Sequence, residues 1–525
     1  MVVTTTSEIP DFRAIRIRWL LPGMVFTLLA SGSTGCATGA SAPGPSPVLP
    51  PLSERVDALL EEPPFDRVHW GLLLMDARSG QILSQRNPDL LFIPGSNMKL
   101  PVTAAALGLL GPDYRWQTSF FSPVLPVDGV LNGHLYLPAA GDPTLGEPFH
   151  ESSTRALNAL ADSLLAAGVR EVTGRLVVDV SAWDSTSVPE SWMVEDLSVS
   201  AGATGGAFVV HLGELEIEVR GADRAGVAAS VDWTPRGQDL EIGGGSLPFV
   251  EHRVDTLADG GISHLRASFL PESRRWLLEG AVTVGEIRTL SLSARDPVRL
   301  GVDALARALA DRGVEVTDGA EIIWNRDLPL ETACSSGRVA SCAEMLHIAG
   351  MPSPPLIEVV SAILGPSQNW IANQLVRTIG AEKGVEGSWS EGFSVIGGSL
   401  EAEAQVRFEE VHWEDGSGLS NHNLISPRAL VSILQYARHQ PWGPAFRSSL
   451  AQPGVEDTTL SSRLEGLNGR VFAKTGSLSH VNSLSGYILA ADGRELLFSI
   501  LTNGANLSAI QVRGQIDAVV REMIR

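Results

Sequence analysis

The segment "LFIPGSNMKLP", Leu91 to Pro101, decides how the rest of the chain is read. It holds one of only three lysines in 525 residues; the others are Lys383 and Lys474, and every other basic residue among the 39 is arginine. Where positive charge alone is needed this chain uses arginine, so lysine at position 99 asks for a chemical reason. Ser96 stands three positions earlier, on a helix predicted to start near Ser96 and to stop at Gly111-Pro112, which places both side chains on one face. A serine hydroxyl is a poor nucleophile until a base takes its proton. A lysine amine can be that base once burial or a nearby cation lowers its pKa. A guanidinium stays protonated and cannot.

S-x-x-K alone is a weak signal, and a solvated lysine on a first helical turn is the bland reading. The second lysine lies in "AKTGSL", on a predicted strand. Gly476 there lets a substrate backbone approach closely, while Lys474 and Thr475 offer a cation and a hydroxyl to a carboxylate. The third element is Ser367-Gln368-Asn369, at a break between two predicted helices marked by Gly365-Pro366. It supplies a hydroxyl and an amide.

In this order the three elements resemble the S-x-x-K, S-x-N and K-T-G set of the penicillin-recognising serine acyltransferases. Within that superfamily the chain is most similar to the D-alanyl-D-alanine carboxypeptidase/endopeptidase family, peptidase family S13. "GPDYRWQT" at Gly111, "GDPTL" at Gly141, "VDVSAWD" at Val178, "SQNWIANQL" at Ser367 and "DGSGLSNHNLISP" at Asp415 look like that family's blocks, from Pro51 to the C-terminus. Two positions depart from it: Gln368 stands where Asp is usual, and Asn373 where an acid is frequent. Ser96 and Ser367 are 271 positions apart, which suits a family that carries large domains between its first and second motifs.

The resemblance implies a multi-domain α/β protein, with a penicillin-binding/β-lactamase-like transpeptidase domain of antiparallel sheet flanked by helices. Residues 53–118 and 335–525 would form it. Residues 119–334 would form inserted mixed α/β material, expected as two domains. The implied function is serine D-Ala-D-Ala carboxypeptidase and endopeptidase action on peptidoglycan stem peptides through an acyl-enzyme, with acylation by β-lactams. Ser96, Lys99 and Ser367 would be catalytic. Asn369, Lys474, Thr475, Gly476 and Ser477 would bind substrate, and the backbone N–H groups of Ser96 and Ser477 would form the oxyanion hole. No metal or cofactor is expected. The competing readings are a β-lactamase or esterase on the same scaffold, against which the long insertion argues, and a non-catalytic peptidoglycan-binding lipoprotein, which would not need a titratable amine.

Composition bounds the rest. A formal charge of −21 and the absence of a basic cluster or a phosphate-binding G-x-x-x-x-G-K-[ST] argue against nucleic acid and nucleotides. "RAIRIRW" at Arg13 and the apolar run from Leu20 fit a secretory signal over residues 1–36, too short to span a bilayer comfortably. The run closes on "STGC", which resembles a lipobox ending at Cys36; ordinary cleavage near "ATGASA" is the other reading. Either way the expected location is the periplasm or cell envelope, with membrane contact only through a lipid at Cys36. Residues 37–52, rich in Pro and Ser, read as a tether. In an oxidising compartment Cys334 and Cys342 could close a small disulfide loop; two unpaired buried thiols are the alternative.

Overall fold

The computed structural model describes residues 2–4, 50–235, 240–242, 245–247, 250–270, 272–273, 275–324 and 345–525. Cys36, most of the signal and tether segments, and the Cys334/Cys342 pair lie outside the described residues. Among the described residues no helix is long and apolar enough to cross a membrane.

The sheet that organises the molecule is built from both ends of the chain. A hairpin of β1 (His69–Asp76) and β2 (Ile82–Arg86) joins β3 (Val471–Leu478), β4 (Val481–Leu489) and β5 (Glu495–Asn503). Their order is β3-β4-β5-β1-β2, antiparallel throughout. Six helices matter for the site: α1 (Leu52–Leu60), α2 (Lys99–Leu110), α3 (Asn369–Lys383), α4 (Trp389–Ala404), α5 (Pro427–His439) and α6 (Ala509–Ile524). Successive side chains of a strand point to opposite faces, and both faces here are covered. Leu72 and Leu74 pack with Val56, Val512 and Ile516 of α1 and α6. Leu73, between them, joins Met98, Leu430 and Leu434 in the larger core on the other side.

Helix α2 lies in the middle of that larger core. Nine of its twelve residues are buried, so it has no polar face to show to water and is enclosed by other helices. The turn before it, Gly95–Met98, is 3-10 rather than the α-helical start expected from sequence. A 3-10 turn repeats every three residues and eclipses positions i and i+3, so Ser96 and Lys99 still align.

Between the two halves of the sheet lies material of another texture. A mixed five-stranded sheet runs in the order Ala320–Ile323, Leu176–Asp179, Leu135–Pro138, Gln117–Ser122, Leu346–Pro352. Helices Ser153–Ala166 and Pro297–Asp311 pack on each other, and their apolar stripes join the main core. Strands from Glu214 to Ser293 form a second body with its own core, including Ile217, Val254, Trp276, Leu278 and Leu292. The five-stranded sheet takes in Gln117–Ser122, which crosses the border at 118 read from sequence, and Leu346–Pro352, which lies beyond the border at 335, so one sheet draws on both sides of that division.

Candidate active site

Three backbone segments meet at Ser96, and glycine makes the approach possible. A Cβ on Gly418, whose φ is +81°, would lie 1.9 Å from the carbonyl oxygen of Gly95. One on Gly476 would lie 2.5 Å from the Pro94 carbonyl oxygen and 3.0 Å from the Ser96 nitrogen. The serine turn, the 415–420 loop and strand β3 are therefore in backbone contact. Asn97 fastens two of them, donating from Nδ2 to the Lys474 carbonyl at 3.2 Å and to Ser483 Oγ at 2.6 Å. Ser483 Oγ donates onward to the Pro94 carbonyl at 2.6 Å.

Lys99 is fully buried. Its Nζ donates to Ser96 Oγ at 2.9 Å, to Asn369 Oδ1 at 2.7 Å and to the Ser417 carbonyl at 2.6 Å. All three donors are used and all three partners are neutral. Burial takes the amine down from its usual 10.5 to about 7, against a weaker pull upward from the Asp415 carboxylate. The lowered pKa brings the unprotonated amine within reach near neutrality, and in that form its lone pair accepts from the Ser96 hydroxyl in place of the third donation.

Ser367 and Lys474 form a second amine–hydroxyl pair. Lys474 Nζ donates to Ser367 Oγ at 2.7 Å and to the Thr475 carbonyl at 2.9 Å. It is also fully buried, and burial first and the charge of Lys99 second hold it well below the lysine range. Ser367 sits in the gap between two helices with φ at +71°, a conformation non-glycine residues seldom take. Such strain gathers at sites where the surroundings over-determine it. Gln368, the departure from the family's Asp, is the N-cap of α3, and its side chain accepts from the Ile371 N–H at 3.0 Å. Asn369 opens the helix. Its Oδ1 meets Lys99, and its Nδ2 donates to the Ala201 carbonyl at 3.0 Å.

On β3, Thr475 Oγ1 donates to Thr459 Oγ1 at 2.8 Å, and Ser477 Oγ donates to Asn482 Oδ1 at 3.0 Å. The structure thus brings Ser96, Lys99, Ser367, Asn369, Lys474 and the 475–477 segment to one place. Lys383, in contrast, ends α3 exposed, where a cation suits the helix C-terminus.

The "DGSGLS" segment, which the sequence marks only as part of one of the family's blocks, is a turn gathered by one carboxylate. Asp415 Oδ1 accepts from Ser417 N–H at 2.9 Å and Gly418 N–H at 2.6 Å, and Oδ2 from Ser420 N–H at 2.6 Å. That loop presents the Ser417 carbonyl to Lys99. Oδ2 also accepts from Trp192 Nε1 at 2.8 Å, a contact from the inserted region. Asn373, the other departure, uses Oδ1 to accept the Gly416 N–H at 3.0 Å. The inserted region is fastened again at Arg377, buried in α3, which pairs with Asp184 at 2.6 Å beneath the Trp183 ring.

A serine–lysine pair beside a five-stranded antiparallel sheet, with a K-T-G strand across from it, defines a serine hydrolase of the penicillin-binding, β-lactamase-like fold. The model of the D-Ala-D-Ala carboxypeptidase 3 (S13) family matches residues 52–523, and the chain belongs to that family. A D-alanyl-D-alanine carboxypeptidase of Actinomadura sp. (strain R39) is 30% identical over 492 residues, 92% of this chain and 86% of that protein. D-alanyl-D-alanine carboxypeptidase DacB of Haemophilus influenzae (strain ATCC 51907 / DSM 11121 / KW20 / Rd) is 23% identical, over 83% of this chain and 85% of that one. The crystal structure of penicillin binding protein 4 (dacB) from Haemophilus influenzae matches with a TM-score of 0.73 at 22% identity, covering 90% of this chain and 99% of that one. The same protein complexed with a β-lactam matches with a TM-score of 0.68 at 21% identity, over 90% of this chain and 99% of that one.

Proposed function

We propose that this family member is a serine D-Ala-D-Ala carboxypeptidase that works through an ester at Ser96, with endopeptidase action on cross-linked stem peptides and acylation by β-lactams on the same route. The observation that carries the reading is the buried Lys99 amine, held against Ser96 Oγ by neutral partners only. Lys99 takes the Ser96 proton as Oγ attacks the carbonyl between two D-alanines. The N–H groups of Ser96 and Ser477 receive the developing oxyanion; losing one such donor typically costs about 3–4 kcal/mol. The backbone contacts through Gly418 and Gly476 hold that geometry. The proton that Lys99 took from Ser96 passes to the leaving amine by way of the Ser367 hydroxyl, which Lys474 holds at 2.7 Å, so that both amines end the step as they began it. Water then hydrolyses the ester and restores Ser96. Asn369, Lys474, Thr475, Gly476 and Ser477 line the path of the substrate.

The test uses a labelled penicillin and an N-acyl-D-Ala-D-Ala peptide with the protein and its Ser96→Ala variant. A stable adduct and D-alanine release, both absent from the variant, are the expected result. Rapid penicillin turnover without peptide cleavage would point to a β-lactamase instead, and no adduct at all would remove the enzymatic reading.

The same proposal places the mature protein in the cell envelope, exported by the signal at 1–36 and carried on the tether at 37–52. Cys36 as a lipid anchor and a Cys334–Cys342 disulfide belong to it as well. So does the division into a transpeptidase domain, 53–118 with 335–525, and inserted domains over 119–334.

A further inference from the structure

The carboxylate that follows the scissile bond needs a cation, and the residue expected to supply it faces elsewhere. Lys474 is buried and directs Nζ at Ser367 and at a carbonyl of its own strand. The Thr475 hydroxyl donates to Thr459 and the Ser477 hydroxyl to Asn482, so both protons are committed. At the open end of β3, beside the exposed Ser477, lies a guanidinium from α6. Arg513 Nη2 donates to Ser477 Oγ at 2.7 Å, and its Nε donates to Asn482 Oδ1 at 3.3 Å. Among the described residues no carboxylate lies within ion-pair distance of Arg513. The acid one helical turn along α6, Asp517, is taken by Arg463 at 2.6 Å. The half-buried guanidinium feels Asp517 only at a distance, and that carboxylate is already in contact with Arg463, so a position for an anion of its own is left open in a chain of net charge −21.

We propose that Arg513 receives the free carboxylate of the residue beyond the scissile bond, acting beside Thr475 and Ser477. This rests on the peptidase reading above and adds a specificity residue to it. An acid bound at Ser477 would sit one hydrogen-bond length from a planar group whose Nη1 hydrogens have no protein acceptor among the described residues, the geometry that suits carboxylate recognition. Because a guanidinium keeps its charge at every working pH, the anchor would not depend on the protonation of the two buried amines. The preference it creates is for substrates with a free acid at that position over the same chain ending in an amide.

The experiment compares an N-acyl-D-Ala-D-Ala peptide with its C-terminal amide, and benzylpenicillin with its methyl ester, on the wild type, Arg513→Gln and Arg513→Lys. Wild type should favour both acids. In Arg513→Gln, kcat/KM for the acid peptide and the acylation rate by the acid penicillin should fall roughly ten- to a hundredfold relative to their neutral counterparts. Arg513→Lys should recover part of the preference. Equal loss on acid and neutral probes would mean that Arg513 only positions Ser477, and would overturn the assignment. So would a wild type that does not prefer the acids, a measurement that needs no variant to fold. A wild type that neither releases D-alanine nor forms a Ser96 adduct would instead overturn the peptidase reading, and the Arg513 assignment with it.

Discussion

Lys99 is a cationic side chain placed where a cation is poorly supported, and that is what makes it useful. Its neighbours are a hydroxyl, an amide oxygen and a main-chain carbonyl, none of which stabilises an ammonium as a carboxylate would. With the amine brought to about 7, acylation of Ser96 should lose rate as pH falls below 7, approaching tenfold per unit well under that value. A pH profile of acylation by a neutral penicillin ester measures this, and a rate flat from pH 5 to 9 would contradict it. The stability consequence has the opposite origin. The unfolded chain keeps Lys99 protonated up to its ordinary pKa of 10.5, so between about 7 and 10.5 it binds more protons than the folded one, and stability rises with pH in that window. The identity of this residue was legible from composition alone, because lysine is rare here and arginine cannot do the chemistry. Arg513 was not legible. It is one arginine among many on an amphipathic helix, and only the fold brings it to Ser477, 36 positions away.

At the scale of the element, the 415–420 loop matters as much as the helix that carries Ser96. Asp415 gathers its N–H groups and turns the Ser417 carbonyl toward Lys99, while Gly418 lets the loop touch the Gly95 backbone. Gly418→Ala would put a methyl group 1.9 Å from a carbonyl oxygen and impose a left-handed conformation on alanine. It should cost about 2–4 kcal/mol of stability by thermal or denaturant unfolding. The Ser96 acylation rate should drop by about a hundredfold, since misplacement near 1 Å is enough for that. Unchanged unfolding would show that the loop yields more easily than its contacts imply. The hairpin, the helix pair around Gly365-Pro366 and the three C-terminal strands could be read from turn signals and apolar pattern. Helix α4 escaped, because Gly392 and the Gly397-Gly398 pair weaken its propensity and tertiary packing overrides them. Gly392 is required there: a Cβ would meet the Val376 carbonyl of α3 at 2.2 Å. Helix α5 had a readable start, Ser426 as N-cap with Pro427 in the first turn, which sequence reasoning did not use.

Across the whole molecule, the inserted region forms part of the wall of the site. Trp192 donates to Asp415, Ser191 Oγ lies 2.7 Å from Ser420 Oγ, and the Ala201 carbonyl holds the Asn369 amide. Trp192→Phe keeps an aromatic side chain at that position but removes the indole N–H that donates to Asp415. It should lower the Ser96 acylation rate roughly tenfold while costing only about 1–2 kcal/mol of stability. Equal rates in both proteins would show that the inserted region merely adjoins the site. From sequence this region is only the inserted mixed α/β material that the resemblance implies, with no site residue assigned to it. The reason is physical: what it contributes are single donors and carbonyls, which acquire meaning only through contacts with residues more than 160 positions away.

The closure of the central sheet also sets an order of events in folding. Strand β1 leaves the ribosome more than 400 residues before β5, the partner that covers its inner edge, and until then only the short β2 protects it. An apolar strand with one open edge is prone to pair with another chain, and contacts this distant in sequence form slowly. Keeping nascent chains apart, by a chaperone or by dilution, is therefore expected to raise the yield of folded protein. The nascent chain has no active site to misuse meanwhile, since β3, which supplies Lys474, is absent until the last part of the chain has been made.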